Sequence, residues 1–160
     1  TKDFYLIDVY ETFVGLVEKY DIDPKLLKLE ITETALMSDF NKNMVIIKRL
    51  QKYGFDIEID DFGSGFSSFE MLQDYDFDIL KIDMSFIRKI GENPKTKSIV
   101  HSIIGMAHEI GIKTVAEGVE TEEQVSFLRQ SGCDYIQGYY YSKPLPEEEF
   151  VEFLEKADAE

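Results

Sequence analysis

Residues 55–65 read Phe-Asp-Ile-Glu-Ile-Asp-Asp-Phe-Gly-Ser-Gly, and the fold can be worked out from this stretch. The run 55–60 predicts a β-strand, and the glycines after it permit turns that other residues resist. Adjacent side chains in a strand point to opposite faces, so Asp60 and Asp61 reach one site only if the strand ends there. The sequence therefore predicts a strand that ends at two carboxylates and is followed by a glycine-containing loop.

Segments of helical and strand character alternate on both sides of this stretch. Further strands are predicted at 26–31, 77–82, 113–116 and 135–137. Helices are predicted at 9–20, 42–53, 67–74, 96–110, 121–130 and 147–156. The fifth of them opens with the capping box Thr121-Glu122-Glu123-Gln124. Strands and helices in this order predict parallel strands joined by right-handed crossovers.

Two architectures fit this number of strands. A complete (β/α) barrel has eight strand-helix units and takes about 250 residues, whereas this chain has 160. The chain is therefore either an open doubly wound sheet or the later part of a barrel whose first strands are missing. Thr1 occupies the first position, where an initiating methionine would stand, and this favours the incomplete barrel. We expect an α/β fold, an incomplete TIM-like (β/α) barrel with about five of eight strand-helix units.

The charge of the chain excludes several classes of partner. It has 17 Lys and Arg against 32 Asp and Glu, a formal net charge of -15. Such a surface repels nucleic acid polymers and anionic membranes, whereas a small phosphate ligand is still possible if cations offset the carboxylates locally. The lone Cys133 excludes a disulfide framework within one chain. No signal peptide or membrane-length apolar run is visible, so we expect a cytoplasmic domain, whose parent protein could still be membrane-anchored.

A polar group stands at the end of every predicted strand. These groups are Glu30, Asp60 with Asp61, Lys81, Glu117 and Gln137. Parallel strands bring their carboxyl ends to one rim, where barrel active sites are built. Carboxylates that lie so close together need a counter-charge. Mg²⁺ and Mn²⁺ prefer such oxygen ligands. The alternative is that acids after a strand cap the next helix, which is an equally good reading for Glu33 and Glu120.

The aspartate pair and the lysine indicate a type of chemistry. Two adjacent carboxylates can share two cations, the arrangement used in two-metal phosphoester hydrolysis. Lys81 could then stabilise developing negative charge or orient the attacking water, or it could form only a salt bridge inside the carboxylate cluster. His101 and His108 fall on the side of their helix opposite its apolar residues, so a solvated face explains them better than a zinc pair.

Six short motifs resemble one protein family. They are Leu-Glu-Ile-Thr-Glu at 29–33, Asp-Asp-Phe-Gly-Ser-Gly-Phe-Ser-Ser at 60–68, Lys-Ile-Asp-Met-Ser-Phe at 81–86, Ala-Glu-Gly-Val-Glu-Thr at 116–121, Gln-Gly-Tyr at 137–139 and Ser-Lys-Pro at 142–144. In this order the chain resembles the C-terminal two-thirds of an EAL domain, the bacterial cyclic-di-GMP phosphodiesterase. Ser64 and Phe66 depart mildly from the commoner threonine and tyrosine of the family.

The resemblance implies roles for individual residues. Lys81 resembles the lysine that positions the catalytic water, and Gln137 the glutamine near it. Glu33 resembles the glutamate that steadies the loop after Asp61, a loop that couples metal binding to dimerisation in the family. Pro144 lies where the family approaches a guanine base. The implied metal ligands are Glu30, Asp60, Asp61 and Glu117, and the implied acids behind them are Asp83 and Glu120.

The resemblance also implies an activity for the parent domain. It is the hydrolysis of cyclic di-GMP to linear pGpG with two Mg²⁺ or Mn²⁺ ions, carried out by a homodimer. The Glu-Ala-Leu segment of the family and a metal-binding asparagine lie upstream of Thr1, so we expect residues 1–160 to form a partial domain with weak or absent turnover. Two alternatives stay open. One is a receptor that binds cyclic di-GMP without cleaving it, and the other is a metal-dependent barrel lyase or isomerase.

Overall fold

Five parallel strands lie side by side in chain order. They are β1 (Lys28–Thr32), β2 (Asp56–Phe62), β3 (Ile79–Ile82), β4 (Lys113–Ala116) and β5 (Tyr135–Ile136). Every neighbouring pair is parallel. The structure is a computed structural model of the chain and describes residues 8–63, 72 and 76–157. The predicted α/β fold with a parallel sheet is confirmed.

Helices connect the strands. They are α1 (Val9–Tyr20), α2 (Glu33–Met37), α3 (Phe40–Tyr53), α4 (Met84–Arg88), α5 (Pro94–Glu109), α6 (Glu122–Gln130) and α7 (Glu147–Ala157). The capping box predicted for α6 is present, because the Thr121 hydroxyl accepts from Gln124 N–H while the Gln124 side chain accepts from Thr121 N–H. None of the helices in the described part of the chain is both long and apolar enough to cross a membrane.

Several predicted strand boundaries and two helices need correction. The strand predicted at 26–31 begins only at Lys28, because Pro24–Leu26 forms a 3₁₀ turn capped by Asp23. The strand predicted at 77–82 begins only at Ile79, because the Asp78 side chain accepts a hydrogen bond from Ile57 N–H at 2.8 Å. The strand predicted at 135–137 ends at Ile136. Helices α2 and α4 were not predicted, since five residues are too few to reveal a 3.6-residue period. The helix predicted at 67–74 lies outside the described residues, apart from position 72.

One face of the sheet is apolar and covered by helices. Alternate residues of a strand share a face, and on this helix-covered face they include Ile31, Ile57, Ile59, Leu80, Ile82 and Ala116. They pack against buried residues of the surrounding helices, such as Ile47 in α3 and Ile104 in α5. The core of the protein therefore lies between this face and the helices, and its burial of apolar surface is the main stabilising contribution.

The opposite face carries most of the charge of the strands. Its residues, which together form the charged face, are Lys28, Glu30, Asp56, Glu58, Asp60, Ile79, Lys81, Lys113, Val115 and Tyr135. The strand register aligns Glu30 with Glu58 and Lys81 with Val115, so these side chains form rows across the sheet. Ile79 and Val115 are buried but do not belong to the main apolar cluster, as expected for this face.

Candidate metal centre

Lys81 is surrounded by three carboxylates from three other strands. Its Nζ lies 2.7 Å from Glu30 Oε1 in β1, 3.2 Å from Asp60 Oδ1 in β2 and 2.9 Å from Glu117 Oε1 after β4. The Lys81 side chain is only 4% exposed, whereas that of Glu30 is 50% exposed. The parallel arrangement thus brings together, at the carboxyl edge of the sheet, residues that are as far as 87 positions apart in the sequence.

Asp60 and Asp61 approach the same site by a route that differs from the prediction. The strand does not end at Asp60 but continues to Phe62. Between Ile59 and Phe62 the register with β3 shifts, and Asp61 adopts φ = 57°, in the left-handed region that aspartate tolerates better than most residues. This bulge interrupts the alternation of side chains, and Asp61 N–H donates to Asp60 Oδ1 at 3.0 Å.

The carboxylates that can share a cation include both aspartates. One oxygen each of Asp60, Asp61 and Glu117 lies within 4.8 Å of the other two. Carboxylate oxygens are the ligands that Mg²⁺ and Mn²⁺ prefer, so this set fits such an ion in spacing and in chemistry. Glu30 is linked to the same set through the ammonium of Lys81. All four carboxylates predicted as metal ligands therefore lie around one lysine or beside it.

Burial and neighbouring charges shift the pKa values of several residues in the site. Burial raises the pKa of Glu117, although the hydrogen bond from Lys81 opposes this rise. Burial also raises the pKa of Asp61, and the neighbouring charges of Asp60 and Asp83 add to the effect. Burial alone would lower the pKa of Lys81, but its carboxylate partners outweigh this and the pKa lies above its usual value. Lys81 is thus a permanent cation at neutral pH, in a site where negative charge is costly.

Three acids, Asp83, Glu120 and Glu33, were predicted to support the metal ligands, and in the structure Asp83 lies beside one of those ligands. Asp83 follows β3, interacts with the Asp61 carboxyl group and caps α4 by accepting from Ser85 N–H at 2.9 Å. Glu120 instead lies 3.9 Å from Arg88, at the edge of the site. Glu33 is the first residue of α2 and is buried. Its predicted contact with the loop after Asp61 involves residues 64–71, which lie outside the described residues.

Gln137 and Pro144 line two neighbouring cavities beside the carboxylates. A cavity of about 200 Å³ extends from Glu117 to Gln137 and is also lined by Arg88, Glu120 and Tyr139. A second cavity, of about 320 Å³, shares Gln137 and Tyr139 with the first and reaches Lys143, Pro144, Phe150 and Phe153. The predicted substrate residue therefore lies in a mainly apolar and aromatic space that adjoins the acidic centre.

Gly138 allows the wall of these cavities to form. A Cβ atom at this position would overlap the backbone N and O atoms of Val119. The same two backbone groups join the segments, since Val119 N–H donates to Gln137 O at 3.1 Å and Tyr140 N–H donates to Val119 O at 2.9 Å. A glycine is needed here because the loop after β4 packs directly on the turn after β5.

Sequence reasoning missed Glu58. It is 5% exposed on the charged face, and burial raises its pKa while the nearby charge of Lys81 opposes the rise. The alternation of Asp56, Glu58 and Asp60 in one strand was a signal that could have found it, because these three side chains share a face. Arg88, which lines the first cavity, was also missed, and no motif contained it; Tyr139 stood in the Gln-Gly-Tyr motif but was given no role.

Comparison with known proteins gives a consistent result. A family model described as EAL domain matches residues 7–144. Among curated relatives, the cyclic di-GMP phosphodiesterase NbdA of Pseudomonas aeruginosa is 44% identical over 128 residues, which are 80% of this chain and 16% of NbdA. The signaling protein YkoW of Bacillus subtilis is 38% identical over 96% of this chain and 19% of its own length. The chain thus spans a fifth or less of the length of these two relatives.

Solved structures with the same fold include complexes with a nucleotide. The phosphodiesterase MucR of Pseudomonas aeruginosa in complex with c-di-GMP has a TM-score of 0.87 at 35% identity, covering 92% of this chain and 60% of that chain. BlrP1 of Klebsiella pneumoniae in complex with manganese and cyclic di-GMP has a TM-score of 0.81 at 30% identity, covering 88% of this chain and 36% of that chain.

Proposed function

This chain belongs to the EAL domain family, and we propose that it provides the acidic centre of a cyclic-di-GMP phosphodiesterase. The reaction is the hydrolysis of one phosphodiester bond, which converts cyclic di-GMP to linear pGpG. Relatives and structural neighbours named as cyclic di-GMP phosphodiesterases or solved with this nucleotide support the choice of substrate.

One observation carries the proposal. Lys81 contacts carboxylates from three neighbouring strands, and Asp60, Asp61 and Glu117 have oxygens close enough for a shared cation. A protein that only had to bind a twofold negative ligand would gain nothing from so many carboxylates, since they repel phosphate. A protein that hydrolyses a phosphodiester with divalent ions needs such oxygens. The cluster therefore favours catalysis over simple recognition.

We propose that Glu30, Asp60, Asp61 and Glu117 hold two Mg²⁺ or Mn²⁺ ions. When bound, such ions neutralise the phosphate and lower the pKa of a coordinated water. Asp61 reaches the site through its left-handed backbone, which places two adjacent carboxylates on one side. Asp83, which helps to raise the pKa of Asp61, would hold the Asp61 carboxyl group in place once the ions offset the two negative charges. Glu33 and Glu120 would act further out, Glu33 from its buried place in α2 and Glu120 through Arg88.

Lys81 and Gln137 would act on the reacting groups themselves. Lys81 keeps its proton at neutral pH, so it is suited to orient a water or stabilise negative charge on phosphorus, and not to act as a base. Gln137 follows β5 and lines the cavity that also contains Glu117. Its amide can hydrogen-bond either the water or the ligand.

The two adjoining cavities suit a ligand with an anionic centre and flat bases. The phosphate would lie at the carboxylates, and one guanine would extend past Gln137 toward Pro144 and the exposed aromatic ring of Tyr139. Aromatic and apolar surfaces bind nucleobases by stacking. Lys143 lies 5.6 Å from the centre of the Tyr139 ring and adds a positive charge to this wall.

The protein is further proposed to act in the cytoplasm as a homodimer. Support within the chain comes from α5, which leaves an apolar groove of about 420 Å³ on its outer side, lined by Ser98, Ile99, Ser102, Ile103 and Met106. We propose this groove as the contact with a second copy of the chain. Sedimentation at increasing protein concentration tests this, and an Ile99→Glu variant should shift the equilibrium toward the monomer.

The experiment that tests the proposed reaction is an assay of cyclic di-GMP cleavage with Mn²⁺, following pGpG by chromatography. The chain should be assayed beside any longer form of the protein that carries it, since sequence reasoning predicts a slower rate for residues 1–160 alone. Product that disappears in Asp61→Asn but persists in Asp56→Asn is the expected result. Binding of cyclic di-GMP without product in every form would favour the receptor instead.

A further inference from the structure

The ammonium of Lys81 is enclosed by carboxylates on the charged face. A lysine ammonium has three N–H donors, and three carboxylates from separate strands lie 2.7, 2.9 and 3.2 Å from Nζ. The side chain is 4% exposed. An ammonium held between three carboxylates is kept away from a water molecule or a phosphate oxygen, which are the groups it must contact in the reaction proposed above.

The same carboxylates are needed for a different cation. Asp60 and Glu117 contact Lys81 and also belong, with Asp61, to the set that can share a divalent ion. Lys81 is the basic partner in every ion pair that the structure describes for Glu30, Asp60 and Glu117. It therefore provides the counter-charge that keeps these acids together. A divalent ion at the same oxygens would take over that role and repel the ammonium.

We propose that Lys81 has two successive states: a positioning residue that clamps Glu30, Asp60 and Glu117 together before divalent ions bind, and a catalytic group that their binding releases. The inference rests on the metal site of the proposed function. It adds that the lysine and the ions are antagonistic, so that the lysine becomes available for the substrate only when the ions are in place. With this coupling, the ion pairs of Lys81 hold the site together before metal binds. The same ion pairs keep the lysine from the substrate, so the site is inactive until the metal binds.

Lys28 provides a matched control. It lies on the same face of the sheet and forms one ion pair, with Asp56 at 2.8 Å, at the opposite edge from the carboxylate cluster. Its side chain is 46% exposed, so its partner can be solvated when the lysine is removed. Replacement of either lysine by methionine removes one positive charge from this face while keeping a side chain of similar length.

The first test is a calorimetric Mn²⁺ titration and a thermal unfolding experiment on wild type, Lys81→Met and Lys28→Met. Without metal, Lys81→Met should unfold at a lower temperature than Lys28→Met, because three carboxylates lose their counter-charge. Mn²⁺ should bind Lys81→Met at least about threefold more tightly than wild type, since a competing cation is gone. Equal or weaker Mn²⁺ binding by a folded Lys81→Met protein would overturn the inference.

The second test needs no variant that could fail to fold. In ¹⁵N-lysine-labelled wild type, the Lys81 ammonium should give a protected NMR signal without metal, and Mg²⁺ should shift it and speed its exchange with water. The Lys28 signal should not respond. If Mg²⁺ binds and the Lys81 signal does not change, the release of the lysine is contradicted but the metal site is not. Absence of any Mg²⁺ or Mn²⁺ binding would contradict the metal site, and with it the proposed function.

Discussion

The helix-covered face and the charged face of the sheet are made from alternate residues of the same strands. Ile57 and Ile59 of β2 belong to the first and are at most 2% exposed. Glu58 and Asp60, their direct neighbours, belong to the second and lie near Lys81. One face follows the rule that buried side chains are apolar, and the other departs from it.

This difference separates the residues that stabilise the fold from those that carry chemistry. Burying a charge is unfavourable unless it is paired, so the charged face depends on the balance between Lys81 and its acids. The helix-covered face depends on packing and on no single partner. Substitutions on the two faces should therefore affect different measurements.

The largest effect is expected for Lys81→Met on cleavage of cyclic di-GMP. The rate with Mn²⁺ should fall by about 10² to 10³-fold, because a single positioned donor contributes on this scale. Circular dichroism in the same buffer should show a folded protein. Lys28→Met, whose ion pair with Asp56 is solvent-exposed, should keep the wild-type rate. A similar loss in both variants would mean that the charge of the whole face, and not the position of Lys81, determines activity.

The next largest effect is expected for Leu80→Ala on stability. Leu80 is fully buried on the helix-covered face, and its truncation should lower the free energy of unfolding by about 3 kcal/mol. Urea unfolding measures this. Because Lys81, its neighbour in sequence, lies on the opposite face, Mn²⁺ affinity should change little at temperatures where the variant is folded. A parallel loss of affinity would show that the two faces are not separable.

A smaller effect is expected for Thr121→Ala at the start of α6. The hydroxyl of Thr121 caps this helix, and its removal should cost about 1 kcal/mol of stability. Ser126→Ala, in the middle of the same helix, is the matched control, since alanine there favours the helix. Chemical unfolding of both variants tests the contribution of the capping box. Equal stability of the two would refute it.

The smallest effect is expected for Glu58→Gln, and it depends on pH. The pKa of Glu58 is raised by burial, so the folded state binds its proton more readily than the unfolded state does. The stabilisation that this gives is complete below the unfolded pKa and is lost as pH rises through the folded one. In metal-free buffer, Glu58→Gln should unfold a few degrees higher than wild type at pH 8. The two should converge near pH 4, and a lower unfolding temperature at pH 8 would contradict this account.

Much of the fold was visible in the sequence because the responsible signals are local. Glycines, prolines and the Thr121 capping box mark helix ends, and apolar runs mark strands. All five strands were predicted, with boundary errors of one or two residues. The five-residue helix α4 escaped because it is too short to show a period. The bulge at Asp61 could not be predicted, since it arises from the pairing of β2 with β3.

The candidate site was predictable in membership and less so in arrangement. Parallel strands require their ends to meet, which was enough to group Glu30, Asp60 and Glu117 around Lys81. Their roles as ligands remain a prediction. Glu58 was missed because it lies inside β2, whereas only the residues at strand ends were considered, although its alternation with Asp56 and Asp60 places the three on one face.

If the carboxyl edge of the charged face holds divalent ions, the affinity for Mn²⁺ should depend on the carboxylates of that edge. Calorimetry should compare wild type with Asp60→Asn, which removes one charge at the site, and with Asp56→Asn, which removes one charge at the other end of the same strand. We expect at least about tenfold weaker Mn²⁺ binding for Asp60→Asn and no change for Asp56→Asn. Equal Mn²⁺ affinity in all three proteins, or no binding by wild type, would contradict it.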